Sequence, residues 1–351
     1  MQECQEIDIG VLGEGEYTLL EICRKFENGE SMLRIPGTIV RSNNTIEFNS
    51  PRELEKDIDN FPIPDRGLFG DLHRYSHTPF RGSKFTVSMI SSRGCPFSCA
   101  YCDQSIFGRT WRGHSPERVI EEIELIKKNF GANFISFEDD NFLLDKKRSM
   151  EFCGLLKQRN TGIEWGCSVR INSLDDKILD AMKSAGCRVI YIGIETGTSR
   201  ILEILNRNIS LDQVREGVKR VKSKGIKIYG SFILGFPGET LDEIMHTIDF
   251  SLELPLDGVS YFLFTPYPNI KLREMALKNG SVSQNWADYS THPGRLPYIP
   301  NDIAEKELLK LQMLAYRKFF LRWVYMRKHL PMIFRLSFLK QAIPMIKKLI
   351  R

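Results

Sequence analysis

No stretch of this 351-residue chain approaches the ~18 consecutive apolar residues that a membrane-spanning helix needs. Near the start, Glu3, Glu6 and Asp8 interrupt any apolar run, which excludes a secretory signal peptide and makes a cytoplasmic protein the expectation. The eight cysteines are then not expected to be disulfide staples, because reducing compartments disfavour them. Long Gly/Ser/Pro linkers and low-complexity segments are missing. With 42% hydrophobic and 26% charged residues, the composition excludes a disordered, collagenous or coiled-coil chain. Acidic residues are absent between positions 308 and 351, where eleven Lys and Arg stand. The other 307 residues hold 38 basic and 44 acidic side chains, a net of −6. A mildly acidic body with a basic tail is not a uniformly basic nucleic-acid binder.

What is present divides into four segments. Residues 1–50 predict a strand at 7–12, the run Gly13-Glu14-Gly15-Glu16, a helix at 17–26 and a hairpin at 38–48 turning at Ser42-Asn43-Asn44. Their apolar surface is too small for an independent domain. Residues 51–83, rich in proline and charge, read as an extended connector across the next domain. In residues 84–282 the pattern becomes regular, with apolar β-rich runs near 86–91, 133–137, 163–169, 189–194, 227–234 and 258–264. Helical patterns lie between them. Ser115-Pro116 is an N-cap followed by proline at the first helical position. Ser173 with Asp176, and Ser210 with Gln213, have capping-box spacing. Gly131, Gly186 and Gly225 follow helices, where a left-handed residue is wanted. Alternating strands and helices imply an α/β fold of parallel strands with right-handed crossovers. Six units make a partial (β/α)6 TIM-like barrel, since a full eight-unit barrel lacks the residues.

Residues 283–351 read as a basic helical region. Leu309, Met313, Tyr316, Phe320 and Trp323 form a helical stripe, Pro331 breaks it, and a second amphipathic stretch runs over 332–350. Such a region suits a helix packed on the barrel with a solvated basic face, or contact with a membrane surface. Nucleic acid is not the expected partner, because no RNA-binding module is visible.

The chemistry is carried by Cys95-Pro96-Phe97-Ser98-Cys99-Ala100-Tyr101-Cys102. This run follows the first predicted strand, on the loop at that strand's carboxyl end, which in a parallel barrel is the active-site face. Closely spaced thiolates hold iron–sulfur clusters. Three thiols fill three irons of a cubane and leave the fourth open, as a catalytic metal site requires. Structural zinc needs four ligands, and beyond His114 no nearby fourth ligand has suitable spacing. Cys4, Cys23, Cys153, Cys167 and Cys187 form no C-x-x-C pair, so a second cluster is not indicated. That argues against methylthiotransferases and multi-cluster maturases.

Cys95, Cys99, Tyr101 and Cys102 resemble the radical S-adenosylmethionine (radical SAM) superfamily, and the resemblance covers about residues 85–280. It implies one [4Fe–4S] cluster on Cys95, Cys99 and Cys102, whose open iron chelates SAM. One electron from the cluster then yields methionine and a 5′-deoxyadenosyl radical that abstracts hydrogen from a substrate. In that picture Glu138, Asp139 and Asp140 at the end of the second strand supply polar groups for the SAM ammonium. Ser168 and Arg170 close the third strand, and Arg170 pairs with the methionine carboxylate. Glu195, after Tyr191-Ile192-Gly193-Ile194, accepts bonds from ribose hydroxyls. Gly230 and Gly235, within the run GSFILGFPGE that ends at Glu239, let backbone approach the adenine. Tyr101 and Tyr267 border SAM, the latter in Thr265-Pro266-Tyr267-Pro268.

Ser92-Arg93-Gly94-Cys95-Pro96, Trp111-Arg112, Ser115-Pro116-Glu117, Asp139-Asp140 and the Thr-Pro-Tyr-Pro run together resemble the cobalamin-dependent branch. That branch includes methyltransferases and the anaerobic protoporphyrin-ester ring cyclase. Gly13-Glu14-Gly15-Glu16 is similar to the segment ending its N-terminal cobalamin domain, so residues 1–50 read as a remnant of that domain. The Asp-x-His-x-x-Gly cobalamin motif is absent, Asp71-Leu72-His73-Arg74-Tyr75-Ser76 being a chance match, so tight cobalamin binding by this chain alone is not expected. The resemblance implies C–H functionalisation, by methyl transfer or cyclisation, of a small-molecule or lipid-like substrate. It also implies an electron donor such as flavodoxin or ferredoxin, and a cytoplasmic site, peripheral at the inner membrane surface if the basic helices bind lipid. The alternative is a non-catalytic cluster-binding remnant or scaffold of a longer enzyme.

Overall fold

The computed structural model describes residues 1–42, 45–76, 85–289, 296–323 and 325–327. Its first elements are β1 (Ile9–Val11), α1 (Glu16–Glu27), β2 (Thr38–Ser42), β3 (Thr45–Phe48), β4 (Thr86–Met89), β5 (Ser92–Arg93) and β6 (Arg112–Gly113). Then follow α2 (Pro116–Phe130), β7 (Phe134–Phe137), α3 (Lys146–Arg159), β8 (Glu164–Val169), α4 (Asp176–Ser184), β9 (Cys187–Glu195), α5 (Ser199–Ile204) and α6 (Leu211–Ser223). The last are β10 (Lys227–Leu234), α7 (Leu241–Glu253), β11 (Gly258–Leu263), α8 (Leu272–Asn279), β12 (Gly280–Val282), β13 (Tyr298–Pro300) and α9 (Glu305–Phe320). They fall into two compact units. One comprises Met1–Pro64, Ser92–Phe97 and Gln104–His114; the other holds the described residues of Asp65–Ser91, Ser98–Asp103 and Ser115–Arg351.

In the first unit β1, β2 and β3 form an antiparallel sheet in chain order, and β5 pairs antiparallel with β6. Its buried apolar side chains include Ile35, Val40, Ile58 and Phe61. The expected hairpin is present, with Ser42 opposite Thr45; Asn43 and Asn44 lie outside the described residues.

The second unit is built on six parallel strands ordered β11-β10-β9-β8-β7-β4, a curled half-barrel with all carboxyl ends along one edge. All six predicted strands are there. On one face Ile190, Ile192, Ile194, Ile228, Phe232 and Leu234 are fully covered by the helices. The alternate positions Tyr191, Gly193, Tyr229, Ser231 and Ile233 stay half-buried. That is the two-residue period of a strand carrying a helix layer on one side. Ser115 caps α2 by accepting from Arg118 N–H, Gly131 ends it at φ 72°, and Ser210 and Gln213 form a complete capping box. Ser173 does not cap α4. It lies in a 3-10 turn with its hydroxyl on Arg170 C=O, and Asp175 accepts from Ile178 N–H instead. An aspartate two residues further on offers a stronger acceptor at the helix start.

Phe137, Phe142, Phe152 and Trp165 form a closed aromatic cluster, and Trp165 donates its indole N–H to Ala185 C=O at 2.8 Å. Trp165→Ala is expected to destabilise the chain by about 3–5 kcal/mol. A urea titration followed by circular dichroism measures this; a loss below about 1 kcal/mol would mean that the cluster repacks.

Helix α9 lies on β11 and α7. The predicted stripe is out of phase by about one residue: Leu308, Ala315 and Phe319 are the buried face, whereas Leu309 is 44% and Trp323 71% exposed. Tyr316 and Phe320 do pack against the core, at its margin. The phase is set by the polar anchor, because Gln312 donates to Tyr261 C=O at 2.7 Å. Residues 328–351, including the predicted second amphipathic stretch, lie outside the described residues. Among the described residues no helix is long and apolar enough to cross a membrane.

Candidate functional site

The cysteine run begins in the first unit. Gly94 has φ 84°, and a Cβ there would lie 2.1 Å from Thr110 C=O, so only glycine fits before Cys95. Arg93 is held by Glu14 at 3.0 Å and Glu16 at 2.6 Å, with its guanidinium over the Phe61 ring. Glu14 also takes Arg112 at 2.8 Å and Glu55 N–H at 3.0 Å. Burial pushes the Glu14 carboxyl up, but these bonds outweigh it and hold it below the usual carboxylate range. Glu14, in the Gly13-Glu14-Gly15-Glu16 run, is thus an ion-pair hub.

Ser98 to Asp103 belong to the second unit and are tied to its carboxyl edge. Ala100 N–H donates to Leu205 C=O, Leu272 N–H donates to Ala100 C=O, and Asn206 donates to both Ser98 oxygens. Two guanidiniums converge on Cys99 Sγ, Arg170 at 3.4 Å and Arg207 at 3.9 Å. Arg170 also donates to Arg207 C=O at 2.7 Å, and Arg207 donates to Gly193 C=O. Arg207 stands 3.7 Å from the Glu195 carboxylate, which accepts from Tyr101 OH at 2.8 Å. Cys99 is thus faced by two cationic side chains.

Glu195 is a non-glycine residue at φ 71°, a left-handed break at the end of β9. Such outliers cluster at functional sites. Burial pushes its carboxyl up, and Arg207, the Tyr101 bond and Arg170 only partly offset this. Burial, then the Glu195 charge, push the Tyr101 phenol well up, so it stays a proton donor. For Arg207 burial works against the charge, but Tyr101, Glu195 and Cys99 outweigh it and raise its pKa.

Thus the fold brings together Cys99, Tyr101, Arg170 and Glu195 of the predicted residues. Three others stand at the same carboxyl edge. Glu138 is exposed and accepts from Ser136 OH at 2.6 Å; Asp140 is exposed. Asp139 is buried and accepts from Ser91 OH at 2.9 Å and Ser91 N–H at 3.1 Å, fastening the end of β4. Ser168 is half-buried near the end of β8, and Tyr267 is exposed with its ring beside Tyr289. Cys102 is exposed. Gly230 is not at the edge: a Cβ there would meet Leu256 and Ile194 at about 3 Å, so its role in the fold is close packing under the helix layer. His73 of the chance motif stacks on Phe85, centroids 3.9 Å apart, and Asp71 caps its own turn.

Gly235, at φ 79°, donates its N–H to Glu239 at 2.7 Å, and Phe236 does so at 3.0 Å. Burial pushes the Glu239 carboxyl up to about 8 despite these bonds. A carboxyl raised in the fold stabilises fully below the ordinary carboxylate range, and that contribution is lost as pH rises toward 8. Glu239→Gln keeps an oxygen for both N–H groups and cannot ionise. Its melting temperature is expected to fall less than that of wild type between about pH 5 and about pH 8, as scanning calorimetry would record. Parallel falls would contradict the assignment.

Arg207 was not among the predicted residues. It sits between Asn206 at φ 54° and Asn208 at φ 44°, and an Asn-Arg-Asn run is the one sequence signal that marks an arginine held in a left-handed loop.

Residues 89–251 match the family model described as the radical SAM superfamily. The chain is 37% identical over 325 residues to an uncharacterized methyltransferase of Pyrococcus horikoshii, covering 92% of this chain and 69% of the relative. It is 26% identical over 334 residues to the anaerobic magnesium-protoporphyrin IX monomethyl ester cyclase of Rubrivivax gelatinosus, covering 93% of this chain and 59% of the relative. Among solved structures it is similar to the radical S-adenosylmethionine methyltransferase TsrM from Kitasatospora setae. The TM-score is 0.64 at 18% identity, over 80% of this chain and 57% of that one. The cobalamin-dependent radical enzyme OxsB gives 0.60 at 20%, over 75% and 38%. At these identities the structural likeness is one of fold. The chain spans little more than half the length of the cyclase and of TsrM, at 59% and 57%.

Proposed function

This chain belongs to the radical SAM superfamily, and from its site we propose an enzyme that cleaves SAM reductively and functionalises a C–H bond of its substrate, by methyl transfer or ring closure. The observation that carries the reading is the pair of buried guanidiniums on Cys99, joined to the Tyr101–Glu195 bond at the carboxyl edge of the half-barrel. Among the described residues no three Cys, His, Asp or Glu side chains are grouped as a metal site, and it is the spacing of the thiols that suits the family's cofactors. Three thiols within eight residues match three sites of a [4Fe–4S] cluster, and the buried charges match a zwitterionic ligand with hydroxyls. When bound, the reduced cluster supplies the electron that splits SAM into methionine and a 5′-deoxyadenosyl radical.

In this reading Cys95, Cys99 and Cys102 hold the cluster. Arg170 and Arg207 offset thiolate charge and offer N–H groups to the methionine carboxylate. Glu195 accepts from ribose hydroxyls, with Tyr101 fixing its orientation. The exposed Glu138 and Asp140 face the SAM ammonium, while Asp139 holds the strand that leads into the loop. Ser168, Gly235 and Tyr267 border the ligand. Residues 84–282 carry the reaction, 1–50 correspond to the end of a cobalamin-type domain, 51–83 connect the two, and 283–351 provide the basic surface. Cobalamin is not assigned to residues of this chain, whose sequence has no Asp-x-His-x-x-Gly run. The remaining partners are a small-molecule or lipid-like substrate and a flavodoxin- or ferredoxin-type donor. The setting is the cytoplasm, with the basic region at the inner membrane surface.

Electron paramagnetic resonance on the anaerobically reconstituted, dithionite-reduced protein tests the cofactor assignment. A cubane signal whose g values shift on adding SAM is expected. A signal indifferent to SAM would refute an open iron.

A further inference from the structure

Two carbonyls of the cysteine loop are gathered by one side chain. Gln104 Nε2 donates to Cys95 C=O at 2.8 Å and to Phe97 C=O at 2.7 Å, so both amide hydrogens are used. Gln104 stands two residues after Cys102 and begins a strap that lies along the loop. Its own C=O accepts from Gly108 N–H at 2.9 Å; further on, Thr110 closes over Gly94, and Arg112 and Gly113 pair with Arg93 and Ser92. The strap therefore holds the entry to the loop by backbone pairing and its interior by the Gln104 amide.

We propose that Gln104 is a positioning residue for the cluster: it fixes the segment from Cys95 to Phe97, and with it the direction from which Cys95 reaches iron. The inference rests on the three cysteines holding a cluster. Without the amide the segment from Cys95 to Phe97 loses two hydrogen bonds that tie it to the strap, and Cys95 loses that part of its fixed approach. The amide also caps the negative ends of two peptide dipoles, those of Cys95 and Phe97. Net charge around an iron–sulfur cluster shifts its potential, and Gln104→Glu adds a charge two residues after Cys102.

The test uses the full chain, anaerobically reconstituted, with Gln104→Glu and Gln104→Leu. Glu is nearly isosteric but, when ionised, has no hydrogen to give. Leu keeps the bulk and removes both bonds. Iron loss to a chelator is expected to be roughly tenfold faster in both, the loss of two ordinary hydrogen bonds. The midpoint potential of Gln104→Glu is expected to fall below that of wild type, and the g values of its reduced signal to change. A residue that only stabilised the fold would lower the melting temperature of the cluster-free chain without moving potential or g values. Iron retention, potential and g values equal to wild type in Gln104→Glu would overturn the proposal. Failure of the wild type itself to take up iron would overturn the cluster reading and the brace with it, and that outcome is distinguished because it appears before any variant is made.

Discussion

Replacing Cys99 by alanine is expected to lower reductive SAM cleavage by more than about 100-fold, beyond the loss that follows from removing an outer partner of a metal site. The geometry singles out this thiol. Arg170 and Arg207 both reach its sulfur, and each is itself buried. In the proposed assignment, removing the sulfur takes away a cluster ligand and leaves two guanidiniums facing an apolar methyl group. Cys187→Ala is the control: that thiol is buried at the start of β9, with its hydrogen directed at Val189 C=O, and belongs to the core. The measurement is iron content and 5′-deoxyadenosine yield for each variant under identical reconstitution. Equal yields from Cys99→Ala and wild type would remove Cys99 from the ligand set.

Arg207→Leu is expected to cost about 3–5 kcal/mol of stability, the range for breaking a buried ion pair from one side. Glu195 would keep only Tyr101 and Arg170 in a buried setting, and Gly193 C=O would lose its donor. The sign of the pH dependence follows. Burial already pushes the Glu195 carboxyl up, and Arg207 is the largest influence pulling it down. Without Arg207 the folded state favours the protonated acid more strongly. Stability is then kept at low pH and lost as pH rises through the raised range. Urea titrations at about pH 5 and about pH 8 are expected to give the larger deficit at the higher pH. A deficit independent of pH would mean that Arg207 acts by packing alone.

How much of this was legible beforehand depends on the kind of signal. The six strands were, because a parallel sheet under helices needs long apolar runs, and Gly131, Gly186 and Gly225 punctuate the helices before three of them. The cysteine run was legible because its three thiols stand within eight residues of sequence. Glu195 was visible as a candidate through the segment around it. Arg207 was not, since it lies on a loop twelve residues later and reaches back to Cys99 only once α5 has turned. Three adjacent acids cannot be ranked from sequence; only the fold reveals that Asp139 turns inward to Ser91 while Glu138 and Asp140 stay out. Gly230 illustrates the reverse error. A glycine in a glycine-rich strand reads as room for a ligand, but here the room is taken by Ile194 and Leu256. The phase of α9 depended on Gln312, a polar residue that an apolar stripe leaves out.

Reductive SAM cleavage is tested most directly by 5′-deoxyadenosine formation by the anaerobically reconstituted wild-type chain with SAM and dithionite. This product is expected together with methionine in equal amounts, and none when dithionite is withheld. A protein that carries a full cluster, binds SAM and still forms no 5′-deoxyadenosine would contradict it.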